Sequence, residues 1–139
     1  MKPYFWALLS ALVWGIAPII EKLGLSKTPV LPGLVFRCLG VILGLMLLLA
    51  FRFNQIKTML PQASQGGMYL VAGGLLASVV GQLFFYNALR GGEASQVVPI
   101  AAAYPLISFT LGIIFLSEKV TLSKLGGMVF VLMGVVLLK

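Results

Sequence analysis

Five runs with almost no charge dominate this chain, and they decide its solvent. Tyr4 to Ile20 carries no charged residue, Pro32 to Phe51 carries only Arg37, Met68 to Leu89 none, Ala94 to Ser117 none, and Val120 to Leu138 only Lys124. A helix needs about 20 apolar residues, within a working range of about 17 to 25, to cross the hydrocarbon core of a bilayer. Each run meets that range or nearly does. The connections collect almost every charge: Glu21 to Leu31, Arg52 to Gly67, the Arg90-Gly91-Gly92-Glu93 turn and the Glu118-Lys119 link.

Composition agrees with the pattern. Sixty per cent of the residues are hydrophobic and 9% charged, against roughly 25% charged in a soluble domain. So few charges cannot cover a water-exposed surface. The chain therefore reads as an all-α integral membrane protein, a bundle of five transmembrane helices over about 4–24, 32–51, 68–89, 94–117 and 120–138. Its 139 residues leave room for one domain of the usual size, about 100 to 200 residues, spanning 1–139. Lys2 precedes the first run as in a secretory signal, but Trp14, Pro18 and Glu21 stand in place of a small-residue cleavage site, so a retained helix is expected. The last run is the weakest. It crosses only if Lys124 snorkels and Val120 to Ser123 join the helix.

Several functions drop out on residue types alone. Cys38 is the single cysteine and histidine is absent, which removes an internal disulfide and the usual zinc, haem and general-base ligand. No nucleophile-base pair, nucleotide-binding loop or metal set is present, so no enzyme activity, metal or cofactor is expected. The formal charge of +7 would suggest nucleic acid in a soluble protein. Here the cations sit singly between apolar runs, as membrane-flanking residues do.

Five crossings place the termini on opposite faces. One face then holds Lys2, Arg52, Lys57, Lys119 and Lys124; the other holds Lys22, Lys27, Arg90 and Lys139, with Arg37 as a fifth. Orientation follows an excess of Lys and Arg on the cytoplasmic side, and neither side has one. Two readings stand: insertion both ways up, or one weakly biased orientation.

Small residues recur at four-residue spacing, at Gly40 and Gly44, at Gly73, Ala77 and Gly81, and at Ser108 and Gly112, the spacing of helix-packing seams in lipid. Polar and aromatic residues form rows of their own. At 100° per residue Trp6, Ser10, Trp14, Pro18 and Glu21 share one face of the first helix, Ser78, Gln82 and Tyr86 form a row on the third, and Tyr104 and Ser108 on the fourth. Such rows avoid acyl chains, and they serve either as interhelical hydrogen bonds or as the lining of a cavity. Pro18, Pro99 and Pro105 each remove a backbone donor inside an apolar run. Broken helices of that kind accompany midplane sites in secondary transporters.

Glu93 and Glu118 lie in turns and read as solvated or capping groups. Glu21 lies on the Trp14 face. It is either a proton-coupling group or a helix-end residue paired loosely with Lys22. Arg37, about five residues into the second run, either snorkels to the interface or contacts an anionic substrate.

The fragments Ala11-Leu12-Val13-Trp14-Gly15, Lys22, Gly24, Pro32 and Phe36-Arg37, then Tyr86-Asn87-Ala88-Leu89, Glu93-Ala94-Ser95, Val98-Pro99, Tyr104-Pro105, Leu116-Ser117-Glu118-Lys119, Gly126 and Gly134 follow one another in order. That ordered set resembles a single EamA-type repeat of the drug/metabolite transporter superfamily and covers nearly the whole chain. Most members fuse two five-helix repeats of inverted topology into ten spans, with the translocation cavity built mainly from the first, third and fourth helices of each. This chain resembles one repeat only. The resemblance implies a multi-pass protein of the plasma (inner) membrane that completes the ten-helix fold as an antiparallel homodimer, as the small multidrug resistance relatives do with four helices.

The implied activity is secondary transport of small metabolites or drugs by alternating access. Its substrate site would be lined by Trp14, Gln82, Tyr86, Tyr104 and Ser108, with Glu21 in proton coupling and Arg37 in anion contact. In the absence of an ATP motif, uphill transport draws on an ion gradient or exchange. The competing reading is a non-transporting membrane subunit packed against a larger membrane partner.

Overall fold

A computed structural model describes residues 3–138; Lys2 and Lys139, both counted among the flanking cations, lie outside the described residues. The described residues are mostly helical. Helix α1 runs over Pro3–Leu25 and continues through Pro18. Pro29, at φ −59° and ψ 156°, holds extended backbone just before α2, Val30–Met59. A 3₁₀ turn, Leu60–Ala63, leads into α3, Ser64–Leu75, which widens into a π turn over Leu76–Gly81 and resumes as α4, Gln82–Gly91. Helices α5, Ala94–Ala101, and α6, Tyr104–Leu116, follow, and α7 spans Leu122–Leu137. No strand occurs among the described residues.

Among the described residues, four segments are long and apolar enough to cross a membrane: Pro3–Leu25, Val30–Met59, Gly66–Gly91 and Ala94–Leu116. The chain is thus an all-α multi-pass membrane protein. The fifth apolar helix, α7, has 16 residues and at 1.5 Å per residue reaches about 24 Å, short of the roughly 30 Å hydrocarbon core. It starts at Leu122, so Val120 stays outside the helix and Thr121 caps it, its Oγ1 accepting from the Lys124 amide at 3.3 Å.

The structure departs from an uninterrupted reading of the apolar runs at three places, each with a local cause. Helix α2 does not stop at Phe51 but bends at Arg52 (φ −124°, ψ 21°) and continues to Met59. A 30-residue helix is about 45 Å long, so its polar end, with Asn54, Gln55 and Lys57, extends past the hydrocarbon. The third run carries the π turn, and Gly81 accommodates it: a Cβ there would lie 3.2 Å from the Leu76 carbonyl oxygen. The fourth run is broken at Ala102 and Ala103. Pro105 lies in the first turn of α6, where its missing amide costs no helical hydrogen bond.

Residues 20–90 form one compact unit, and residues 3–19 with 91–138 form another. The first has a small core in which Leu25, Val30, Leu34, Tyr86 and Leu89 are buried. Lys22 Nζ donates to the Leu89 carbonyl at 2.6 Å, joining the ends of α1 and α4. Packing is close at Gly33, where a Cβ would stand 3.0 Å from Leu25 Cδ2, which would have to shift, and 3.9 Å from the Tyr86 ring. In the second unit the chain turns from α6 toward α7 at Ser117, which adopts the left-handed conformation at φ 53°. That turn lets the Glu118 amide reach the Gly112 carbonyl at 3.2 Å. The Glu118 carboxylate then meets Lys124 Nζ at 3.4 Å, and Lys124 Nζ also donates to the Lys119 carbonyl at 3.1 Å.

The four-residue rows of small side chains are mostly open. A Cβ at Gly40, Gly44 or Gly73 would meet nothing within 4 Å, whereas one at Gly112 would touch the Glu118 carboxyl at 3.4 Å. The first three glycines are therefore not seams within the single chain. Most large apolar side chains are likewise exposed, as lipid-facing groups are.

Left-handed backbone costs a residue with a Cβ about 1 to 2 kcal/mol. Ser117→Gly should remove part of that cost and raise stability by about 0.5 to 1 kcal/mol, read as a higher thermal midpoint in detergent. An unchanged or lower midpoint would show that Ser117 is not strained.

Candidate functional site

The polar side chains of the unit 20–90 converge on one carboxylate. Glu21 lies in the last turn and a half of α1, four residues before the buried Leu25 and so on the same face of the helix. Arg37 lies two turns into α2, beyond Gly33 and Leu34, and its Nε donates to Glu21 Oε1 at 3.3 Å. From α4, Gln82 Nε2 donates to both carboxylate oxygens of Glu21, each at 3.3 Å. The Tyr86 side chain, one turn further along α4 and only 3% exposed, stands beside Glu21 and Gln82.

The π turn belongs to the same arrangement. Arg37 Nη1 donates to the Ser78 carbonyl, inside the turn, at 3.4 Å. One guanidinium therefore neutralises the α1 carboxylate and also satisfies a backbone carbonyl of the widened third span. Glu21 and Arg37 retain 19% and 27% of their side-chain exposure. Single-turn π segments recur at functional sites because they re-aim the side chains that follow, and here Gln82 and Tyr86 come immediately after.

A cavity of about 410 Å³ adjoins the pair, lined by Ile20, Glu21, Gly24, Leu25, Thr28, Gly33, Phe36, Arg37 and Tyr86. Its walls are largely apolar and its few polar groups converge, which is the usual make-up of a small-molecule site. A guanidinium has five donors, and the Glu21 and Ser78 contacts use two of them. Arg37 can thus hold its ion pair and still present a donor to a guest. The groups on these walls offer hydrogen bonds and charge; no cluster of His, Cys, Asp or Glu able to hold a metal occurs among the described residues.

Four residues singled out in the sequence, Glu21, Arg37, Gln82 and Tyr86, are brought together here. The loose pairing of Glu21 with Lys22 gives way to an ion pair with Arg37, because adjacent residues on a helix point about 100° apart while Arg37 approaches from α2. Arg37 meets an anion, but that anion belongs to the chain itself. Trp14, Tyr104 and Ser108 fall in the other unit, where Trp14 is 66% and Tyr104 55% exposed and Ser108 is also exposed. Gly33, Phe36 and the Ser78 carbonyl were not legible as site groups. Only the adjacency of Pro32-Gly33 to Phe36-Arg37 hinted that this stretch does more than span.

The model of the EamA-like transporter family matches residues 1–139. The chain belongs to the EamA-like transporter family. An uncharacterized protein of Methanocaldococcus jannaschii is 33% identical over 131 residues, covering 94% of this chain and 91% of that protein. An uncharacterized Pseudomonas aeruginosa protein is 30% identical over 132 residues, which are 90% of this chain but 44% of the relative. A Yersinia enterocolitica protein, 30% identical over 143 residues and matched over 97% of this chain and 91% of its own, bears the name probable 4-amino-4-deoxy-L-arabinose-phosphoundecaprenol flippase subunit ArnF. No solved structure matches the chain. EamA-like membership places the Glu21 cluster in a protein of a membrane-transport family.

If Glu21 and Arg37 depend on one another, Arg37→Met and Glu21→Gln should each lower stability by about 1 to 3 kcal/mol, the cost of a charged partner left unsatisfied. The double variant should cost less than the sum of the two. Additive losses in a double-mutant cycle in detergent would sever the pair.

Proposed function

We propose that this chain is a secondary transporter of small metabolites or drugs in the plasma (inner) membrane. It works by alternating access as an antiparallel homodimer and catalyses no covalent chemistry. The observation that carries this reading is the cavity beside the Glu21–Arg37–Gln82 cluster, held by three separate helices in a member of a transport family. Partly desolvated polar groups on a lipid-embedded helix are costly, and a guest that must be recognised and then released gives them a use.

Substrate recognition is assigned to Trp14, Gln82, Tyr86, Tyr104 and Ser108. The aromatics supply stacking area with a polar handle. Glu21 is the coupling group: its carboxylate and an anionic guest compete for the Arg37 guanidinium, so a proton taken up by Glu21 favours the guest. Two further observations support pairing of two copies. The chain spans less than half of its Pseudomonas relative, and the small-residue faces at Gly40, Gly44 and Gly73 stand open for a second helix. The even tally of basic residues supports opposite insertion of the copies.

One observation favours a second reading. The Yersinia relative is named a flippase subunit, which fits a chain that joins a different membrane protein. Topology separates the two. On a Cys38→Ser background, single cysteines at Lys57 and Lys27 should each be labelled from both sides of the membrane; labelling of each site from one face only excludes the antiparallel homodimer. In proteoliposomes that bind substrate, Trp14→Ala and Tyr104→Ala should each weaken binding about two- to tenfold, the worth of roughly 0.5 to 1.5 kcal/mol of stacking. Unchanged affinity in both removes them from the site.

A further inference from the structure

A second cavity, of about 480 Å³, lies at the ends of α1 and α4 and is lined by cations from three short segments. Lys22 comes from the last turn of α1, Lys27 from the loop after it, and Arg90 from the last turn of α4, with the hydroxyl residues Ser26 and Thr28 between them. No acidic side chain is among its walls. Lys22 is committed to the Leu89 carbonyl at 2.6 Å, and Ser26 Oγ to the Leu23 carbonyl at 2.8 Å. Among the described residues, neither the Lys27 ammonium nor the Arg90 guanidinium makes a hydrogen bond or ion pair.

Cations that merely mark a membrane edge spread outward into water and headgroups. Three that converge on one concave, acid-free space repel one another, and the arrangement is relieved by a shared counter-anion. We infer that this cavity binds a phosphate group. A phosphoester presents several strong acceptor oxygens and up to two negative charges, enough for the planar fork of Arg90, the point charge of Lys27 and the neighbouring hydroxyls together; a carboxylate offers two oxygens and one charge. The position, where α1 gives way to a short loop before α2, is at the boundary between apolar helix and polar connection. The phosphate can therefore belong to an anionic lipid headgroup or to a soluble phosphoester. Capture of a phosphate here does not require that the chain transport it.

The test uses the whole chain in nanodiscs. In discs of phosphatidylcholine alone, inorganic phosphate should raise the thermal midpoint above that in chloride of equal ionic strength if the site takes a soluble phosphate. In discs of phosphatidylcholine and phosphatidylglycerol in equal parts, native mass spectrometry should show phosphatidylglycerol retained in preference if it takes a headgroup. At least one response is expected. Lys27→Gln combined with Arg90→Gln should weaken that response about tenfold or more, since each charge-assisted bond lost is worth about that factor. Lys119→Gln, which removes an exposed lysine elsewhere in the chain, should leave it unchanged. If the double variant does not fold, Lys27→Gln alone, in the loop, makes the same comparison. Silence of the wild-type chain in both assays, or equal loss with Lys119→Gln, overturns the assignment.

Discussion

The Glu21 carboxylate sets the terms for everything around it in the unit 20–90. An ionised carboxylate withdrawn from water loses several kcal/mol of solvation, and a lipid-embedded helix offers no water to restore it. Arg37 and Gln82 restore it instead, at 3.3 Å each. To do so they draw α2 and α4 to the end of α1. On the same helices, Leu25 packs closely over Gly33, and Leu25, Val30, Leu34, Tyr86 and Leu89 form the buried core. The guanidinium that serves the carboxylate also takes up a carbonyl of the π turn. The polar cluster and the apolar core thus lie on the same three helices.

The two cavities of this unit express two different uses of charge. In the first, the carboxylate and guanidinium answer each other, leaving a near-neutral wall with spare donors, suited to a guest that must come and go. In the second, cations gather without an acid, and the balance is left to something from outside the chain. They share Leu25 and Thr28 as lining residues, so the end of α1 and the following loop serve both. That part of the chain is short and polar enough to be read as a mere connection.

Much of the fold was legible because in lipid the backbone must satisfy itself, and a long apolar run can then only be a helix. The four longer spans and the unit boundaries of charge followed from Tyr4 to Leu138 directly. Helix interruptions were harder to locate. Pro105 announced a break in the fourth run, yet the break falls just before it, at Ala102 and Ala103, since proline opens a helix more readily than it kinks one. The π turn had no proline to announce it, only Gly81, one glycine among many. At the site, the rows containing Glu21, Gln82 and Tyr86 were visible from helical periodicity, and Arg37 was visible as the lone charge of its run. That Arg37 answers Glu21, from sixteen positions away, was not.

The amino-acid sequence by itself determined the solvent, the helical class and the residues too polar to face acyl chains, because each of these depends on local composition and on the 3.6-residue repeat. Only the tertiary structure decided which polar residues find one another: that Glu21 belongs to Arg37 and Gln82, and that Lys22 caps α4 through the Leu89 carbonyl. It also decided that Lys27 and Arg90 face one cavity. Periodicity fixes the direction of a side chain relative to its own helix axis, but the partner on another helix depends on how the helices are translated and rotated against each other. That is set by close contacts such as Leu25 against Gly33, at distances no single helix can specify.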